Sequence, residues 1–358
     1  MLKLPSVLFL LTLSSWLAFA SAAQALYARI HSVSGRVELK RNGWSSYQRA
    51  LPGRALFGDD LLRPALGSRV IVTCPDGQRA RRTPTPGGET SVISLCPTTP
   101  RSDVRPGFGV SNVWGGNDPT VPFVITPRSD FVLSGTPTLR WQPVLGAEVY
   151  TVTMTSLTGE LWQVTTNHTT LPYPEGVPAL RADGSLYALV VSTDTGRASR
   201  DEAIDLRFQR LLGPDVAVAE AEIAEVQAMD LPEEIKTLVL VEEVYPKYSL
   251  TAVAINDLKG LIEKGEETAH IYRLLGDLYV KSGVQIPAEE SYHQALELAA
   301  AEENLEDATL AHLGLGTLYQ AIGQPENAIA LLQQALSGAK ELGDRQLIDS
   351  IERQLGRL

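Results

Sequence analysis

Cysteine and histidine are both scarce, with two and five in 358 residues, and that limits metal chemistry. Two thiols, Cys74 and Cys96, with no histidine or third cysteine nearby cannot complete a tetrahedral zinc shell. His31, His168, His270, His293 and His312 show neither metal-ligand spacing nor a nucleophile motif around them. Long apolar runs are also lacking. After Val7 to Ala20 no stretch is comparably apolar, and that run is shorter than the roughly 20 residues a membrane span needs. With Lys3 before it and Ala23-Gln24-Ala25 after it, the run reads as a secretory signal peptide over residues 1–25. No cysteine stands near enough behind it for a lipid anchor. Whether the segment is cleaved or retained as an anchor stays open.

Paired catalytic carboxylates are missing too. Asp194-Thr195-Gly196 follows the apolar run Leu189-Val190-Val191 as in aspartic proteases, but those enzymes need two such motifs sharing a proton. Ser192 and Thr193 interrupt the apolar approach, Arg197 follows the glycine, and a turn between strands accounts for the motif better. Neither an enzyme nor a cofactor is expected. Asn167-His168-Thr169 is a glycosylation sequon, meaningful only in a eukaryotic secretory host.

Charge is present, unevenly. Residues 26–110 carry 13 Lys plus Arg against 6 Asp plus Glu, whereas residues 215–358 carry 10 against 26. A basic β-rich half thus precedes an acidic helical one, and the shift supports three domains. Export and the net charge of −11 argue against nucleic acid. Arg79, Arg81 and Arg82 form a local basic cluster beside Asp76-Gly77. It reads as a solvated hairpin tip, or as a contact for an anionic glycan, a lipid headgroup or the chain's own acidic repeats. Cys74 and Cys96 each end a short apolar run and precede a proline, which in an exported chain suits one disulfide.

The acidic half repeats. Tyr272, Leu275, Gly276, Tyr279, Ala288, Tyr292 and Ala295 recur 40 residues later as His312, Leu315, Gly316, Tyr319, Ala328, Leu332 and Ala335. Leu238, Val241, Glu242, Tyr245, Ala254, Leu258 and Leu261 fit the same frame 34 residues earlier, with Glu242 where a small residue belongs. The i, i+3, i+4, i+7 spacing puts each set on one helix face, and Gly283 and Gly323 sit where first helices should end. This resembles the tetratricopeptide repeat family over residues 235–342. The second copy is six residues longer than the family period, an extension placed around Leu298 to Asp307. Residues 343–358 read as a capping helix and 212–234 as a helical connector. The resemblance implies a concave wall lined by Val239 and Glu243, then Arg273, Asp277 and Val280, then Leu313, Thr317 and Gln320, which would hold a protein partner.

From Leu26 to Pro97, short alternating runs are broken by Gly35, Pro52-Gly53, Gly58-Asp59 and Asp76-Gly77, a pattern of small β strands. Gly35, Gly58-Asp59, the Val70 strand and Asp76-Gly77 resemble the FecR-type extracytoplasmic domain, over residues 26–99. Residues 100–126 read as a Gly/Pro-rich linker. Thr138 to Trp141, Tyr150 to Met154, Leu161 to Val164, Tyr187 to Val191 and Ile204 to Phe208 then follow at strand spacing. They resemble a fibronectin type III or related immunoglobulin-like sandwich over residues 127–211, with Trp141 and Tyr187 as core residues. The expected fold is multidomain β plus α: a small β domain, a β-sandwich and a C-terminal α-solenoid.

The expected function is a non-enzymatic, secreted or periplasmic scaffold that binds a protein through the repeats, with no transmembrane segment in the mature chain. The alternative is an envelope sensor or regulatory subunit whose FecR-like domain recognises a receptor or anionic glycan.

Overall fold

The computed structural model describes residues 26–74, 81–82, 84–96, 114–128, 130–202 and 207–358. The signal-like run, Arg79, the first part of the linker and Ile204 to Leu206 lie outside these. Sheets fill the N-terminal half and helices the C-terminal half.

The first unit contains β1 (Leu26–Ser34), β2 (Val37–Lys40), β3 (Gln48–Arg49), β4 (Ala55–Phe57), β5 (Leu61–Pro64), β6 (Arg69–Thr73), β7 (Arg81–Arg82), β8 (Thr90–Ser91) and the short helix α1 (Val92–Leu95). They form two four-stranded sheets, ordered β4-β1-β6-β7 and β3-β2-β5-β8. Alternation decides which side chains go in: Val37 and Leu39 are buried, while Glu38 between them faces Arg36 and Arg63. Gly35 turns β1 into β2 at φ +80°, where a side chain would strike Ser68. A disulfide joins Cys74 to Cys96 across a Cα separation of 5.5 Å, beneath the core of Ile30, Leu56, Leu62 and Val72.

The second unit has a five-stranded sheet, β10 (Phe131–Val132), β16 (Phe208–Arg210), β15 (Leu186–Thr193), β12 (Tyr150–Ser156) and β13 (Gly159–Thr166) in that spatial order. A three-stranded sheet is ordered β14 (Thr170–Leu171), β11 (Leu139–Trp141), β9 (Val124–Thr126). Both contribute to one core, in which Trp141 and Tyr187 are buried. The linker reading therefore stops short. From Trp114 onward the chain is packed, because Phe123, Val124 and Ile125 supply buried apolar side chains that Gly and Pro do not.

The helical half comprises α2 (Gly213–Gln227), α3 (Glu233–Val239), α4 (Thr251–Ile262), α5 (Ala269–Ser282), α6 (Gln285–Glu302), α7 (Leu305–Ala321), α8 (Pro325–Leu342) and α9 (Arg345–Leu355). Consecutive helices pack through the repeated small residues. A Cβ on Gly276 would stand 2.6 Å from the Tyr292 ring, and one on Gly316 would stand 2.8 Å from Leu332 Cγ. Gly283 and Gly323 take positive φ at the ends of α5 and α7. The residues read as an extension, Leu298 to Asp307, hold the last turn of α6 and the first of α7. Asn304 makes this break: it caps α7 by accepting from the Asp307 amide at 3.1 Å.

The second unit and the helices share apolar interior. Phe123 and Ile125 belong to the helical core and Ala252 to the sheet core. Gly115 bridges the turn after α5, donating to the Gly283 carbonyl at 2.8 Å and accepting from Gln285 at 3.0 Å. Asp130 accepts from the Ala252 amide at 3.0 Å at the start of α4, and burial pushes its carboxyl up to about 6. Among the described residues no helix is long and apolar enough to cross a membrane.

Candidate functional site: an ionic seam between the first unit and the helices

Three arginines of the first unit point at the helical half. Arg29 lies within β1, Arg41 follows β2 and Arg54 precedes β4, so the sheets deliver all three to one side. Facing them are acids from two helical segments. Leu240–Val244 is a π-helical turn continuing α3, and in it two consecutive residues, Glu242 and Glu243, both reach Arg29 Nη2, at 2.7 and 3.1 Å. Arg29 also donates to the Gly53 carbonyl at 3.0 Å.

The other two arginines converge on the first turn of α7. Arg41 forks onto Glu306, Nε to Oε1 at 3.0 Å and Nη2 to Oε2 at 3.3 Å, and its Nη1 reaches Asp60 at 3.1 Å. Arg54 donates to Glu306 and, at 2.9 Å, to Asn304 Oδ1. Planar guanidinium groups suit such convergent contacts better than ammonium groups would. Beyond them Asp307 accepts from Arg273 Nε at 2.7 Å and from Asn304 Nδ2 at 2.7 Å. Asp277 closes the network, taking Arg273 Nη1 at 2.6 Å and the Tyr292 hydroxyl at 2.7 Å.

His270 sits between two carboxylates, Nδ1 3.2 Å from Asp307 and Nε2 3.4 Å from Glu242. Burial favours the neutral ring, yet Asp307 and Glu242 outweigh it and hold the pKa above its ordinary value. Nδ1 also lies 3.1 Å from Arg273 Nη2, and the tautomer decides whether that nitrogen donates to Asp307 or accepts from Arg273. Burial also pushes the carboxyls of Glu242 and Asp307 up. For Glu242 the charges of Arg29 and His270 reverse that, and for Asp307 those of His270, Arg54 and Arg273 do, so both end well below the usual range.

No protein-family model, curated protein or solved structure matches this chain. The seam is read on its own chemistry. It offers guanidinium groups that cannot release a proton, carboxylates held well below their usual range and an imidazole whose pKa its carboxylate neighbours raise, a set suited to holding surfaces together. Among the described residues no group of His, Cys, Asp and Glu could hold a metal ion. An open groove of about 310 Å3 lies elsewhere, along β15, lined by Tyr187, Leu189, Arg200 and Arg207 among others.

The eight residues expected to line a free wall all have partners within the chain. Glu243 meets Arg29; Arg273 is buried among Asp307, Asp277 and His270; Asp277 holds Tyr292. Leu313 packs on the cluster of Leu332, Ala335 and Ile351. Thr317 and Gln320 both accept from Gln354 on α9, at 3.0 and 2.8 Å. Val239 and Val280 are core residues. Of the basic cluster, Arg81 and Arg82 form β7, paired with β6, while Arg79 and the three side chains lie outside the described residues. Sequence reasoning missed Arg29, Arg41, Arg54, Asn304 and Glu306. The available signals were the opposed charges of the two halves and the capping pattern Asn304-x-x-Asp307.

Proposed function

We propose that this chain is an exported, non-enzymatic interaction protein whose helical half holds other polypeptides by shape and charge. It combines a FecR-like β domain, an immunoglobulin-like spacer and tetratricopeptide-type repeats closed by α9. The supporting observation is that the helical half already holds the surface of another unit: Glu243 in the π-helical turn after α3, and Asn304 and Glu306 at the start of α7, grip arginines more than 200 positions away in sequence. Export rests on the signal-like first residues and on the disulfide, which belongs to oxidising compartments.

The test places photo-crosslinking side chains at Leu313 and Gln320, and others at Arg81 and at the fully exposed Leu145, in cells that make the protein. Adducts with one partner protein from the helical positions are expected. Adducts confined to Arg81 would overturn the reading in favour of an envelope sensor that recognises a receptor or glycan with its first unit.

A further inference from the structure

The two junctions in this molecule differ in kind. The sheets of the second unit and the helices share apolar cores, so parting them would expose Phe123, Ile125 and Ala252 to water. The first unit keeps its core to itself: its cluster runs from Ala28 to Cys96 and contains no residue of α2 to α9. What crosses the second junction is mostly ionic and polar, beside one apolar contact where Leu238 and Ile235 of α3 approach Gly53. Arg29, Arg41 and Arg54 carry it, with the Ser45 amide on the Leu342 carbonyl at 3.0 Å, Trp44 Nε1 on Asp344 at 3.4 Å and the Ser46 hydroxyl on the Glu341 carbonyl at 3.3 Å.

Such a junction is easier to open than its many contacts suggest. Burying a guanidinium–carboxylate pair forfeits hydration of both partners, and the mutual attraction returns little more than that loss. Opening lets every charge rehydrate. Arg29 is only 4% exposed, and its Nε, enclosed in the seam, has no hydrogen-bond acceptor, so the closed state leaves one donor unsatisfied.

We propose that the N-terminal β domain is an autoinhibitory cover: it occupies the acidic first-helix face with Arg29, Arg41 and Arg54, and a partner segment bearing arginines takes that face when the cover lifts. The inference rests on the reading that this face binds polypeptides. Its chemistry follows from the present occupant. Glu242, Glu243, Glu306 and Asp307 sit where guanidinium groups already fit, and the Glu306 fork fits arginine better than lysine.

The test uses the full chain with spin labels on Ser46→Cys and Glu341→Cys, which flank the seam on opposite sides. Pulsed distance measurements on the unliganded protein should give one short, narrow distribution. Adding a hexa-arginine peptide should shift at least half of the molecules to a long, broad one, with helical ellipticity unchanged, and hexa-lysine should do so at tenfold higher concentration or not at all. Joining the same two cysteines with a short bismaleimide should weaken peptide binding at least tenfold. A distribution that stays short at saturating peptide overturns the cover, as does opening that occurs only with loss of the helices. Failure of the function reading is distinguishable: the cover would then lift on hexa-arginine while crosslinkers at Leu313 and Gln320 still capture nothing in cells.

Discussion

Glu306 is the residue on which the seam most depends, because one carboxylate serves two buried guanidinium groups. Glu306→Gln keeps the shape and removes the charge. Arg41 would retain Asp60 at 3.1 Å and the Ala55 carbonyl at 3.2 Å, and Arg54 would retain Asn304 at 2.9 Å. Removing one member of a buried pair costs about 3–5 kcal/mol, since the survivor stays desolvated. The remaining partners place this variant near about 3 kcal/mol. Undocking sets a ceiling: once the first unit separates, its arginines rehydrate, and the loss cannot exceed the free energy of docking. Urea titration with two probes separates the cases, Trp44 fluorescence for the seam (by difference from Trp44→Phe) and far-ultraviolet ellipticity for the helices. With a slope of about 3 kcal/mol per molar urea, the Trp44 transition should fall by about 1 M. The double variant Arg54→Met, Glu306→Leu should recover part of the loss, because matched apolar replacements dispense with the desolvation. A Glu306→Gln protein within about 0.5 kcal/mol of the parent by both probes, the range of ordinary surface changes, would refute the buried network as a source of stability.

The seam should also have a pH window. Glu242 and Asp307 are held below their ordinary values, so their contribution is present above about 4.5 and is lost as pH falls through the depressed values; His270 is held above 6.5, so its contribution is present below that and is lost as pH rises through the raised value. His270 should thus make the midpoint temperature decline on the alkaline side of about pH 6.5, separately from the decline that Asp130, pushed up to about 6, imposes at lower pH. His270, faced by Asp307, Glu242, Arg273 and the nearby Glu234, is the group to replace, and in His270→Gln the alkaline decline should vanish. Cys74→Ala with Cys96→Ala should cost about 3 kcal/mol by the loop-entropy account, read as a lowered midpoint of the first unit, and reduction of the parent should match it. Gly276→Ala would push a methyl to within 2.6 Å of the Tyr292 ring and should cost about 1–3 kcal/mol in thermal unfolding, whereas the change at half-buried Gly260, where a methyl would meet nothing, should not.

Much of the fold could be read ahead because it rests on local geometry. The spacing of Gly276, Ala288 and Tyr292 specifies a close helix pair, and the positive φ at Gly283 and Gly323 ends helices where the glycines stand. The alternation around Val37 and Val70 and the paired prolines after Cys74 and Cys96 carry the first unit in the same way. The site was not legible, since Arg29 and Glu243 lie 214 positions apart and nothing periodic links them. A face assigned by register alone looks free until another unit is placed against it. Leu240–Val244 adds a second obstacle: a π-helical turn breaks the 3.6-residue phase that register arguments assume, and it turns Glu242, read as a defect in the repeat, into the partner of Arg29.

That substitution in the repeat pattern connects fold to function. A small residue at position 242 would pack the first helix more tightly and leave Arg29 with Glu243 as its remaining acid at the seam. The chain instead gives up ideal helix geometry and places a carboxylate between Arg29 and His270, coupling the first unit to α5. Local rules broken without a local gain tend to mark functional positions. By that logic Glu242→Ala should separate the two roles: the helices, relieved of a buried charge, should hold or gain stability when unfolding is followed by ellipticity, while the Trp44 signal reports a weakened seam. If ellipticity and Trp44 fluorescence instead fell together by the same free energy, the seam would be part of one cooperative core, and the first unit would not be a separable cover.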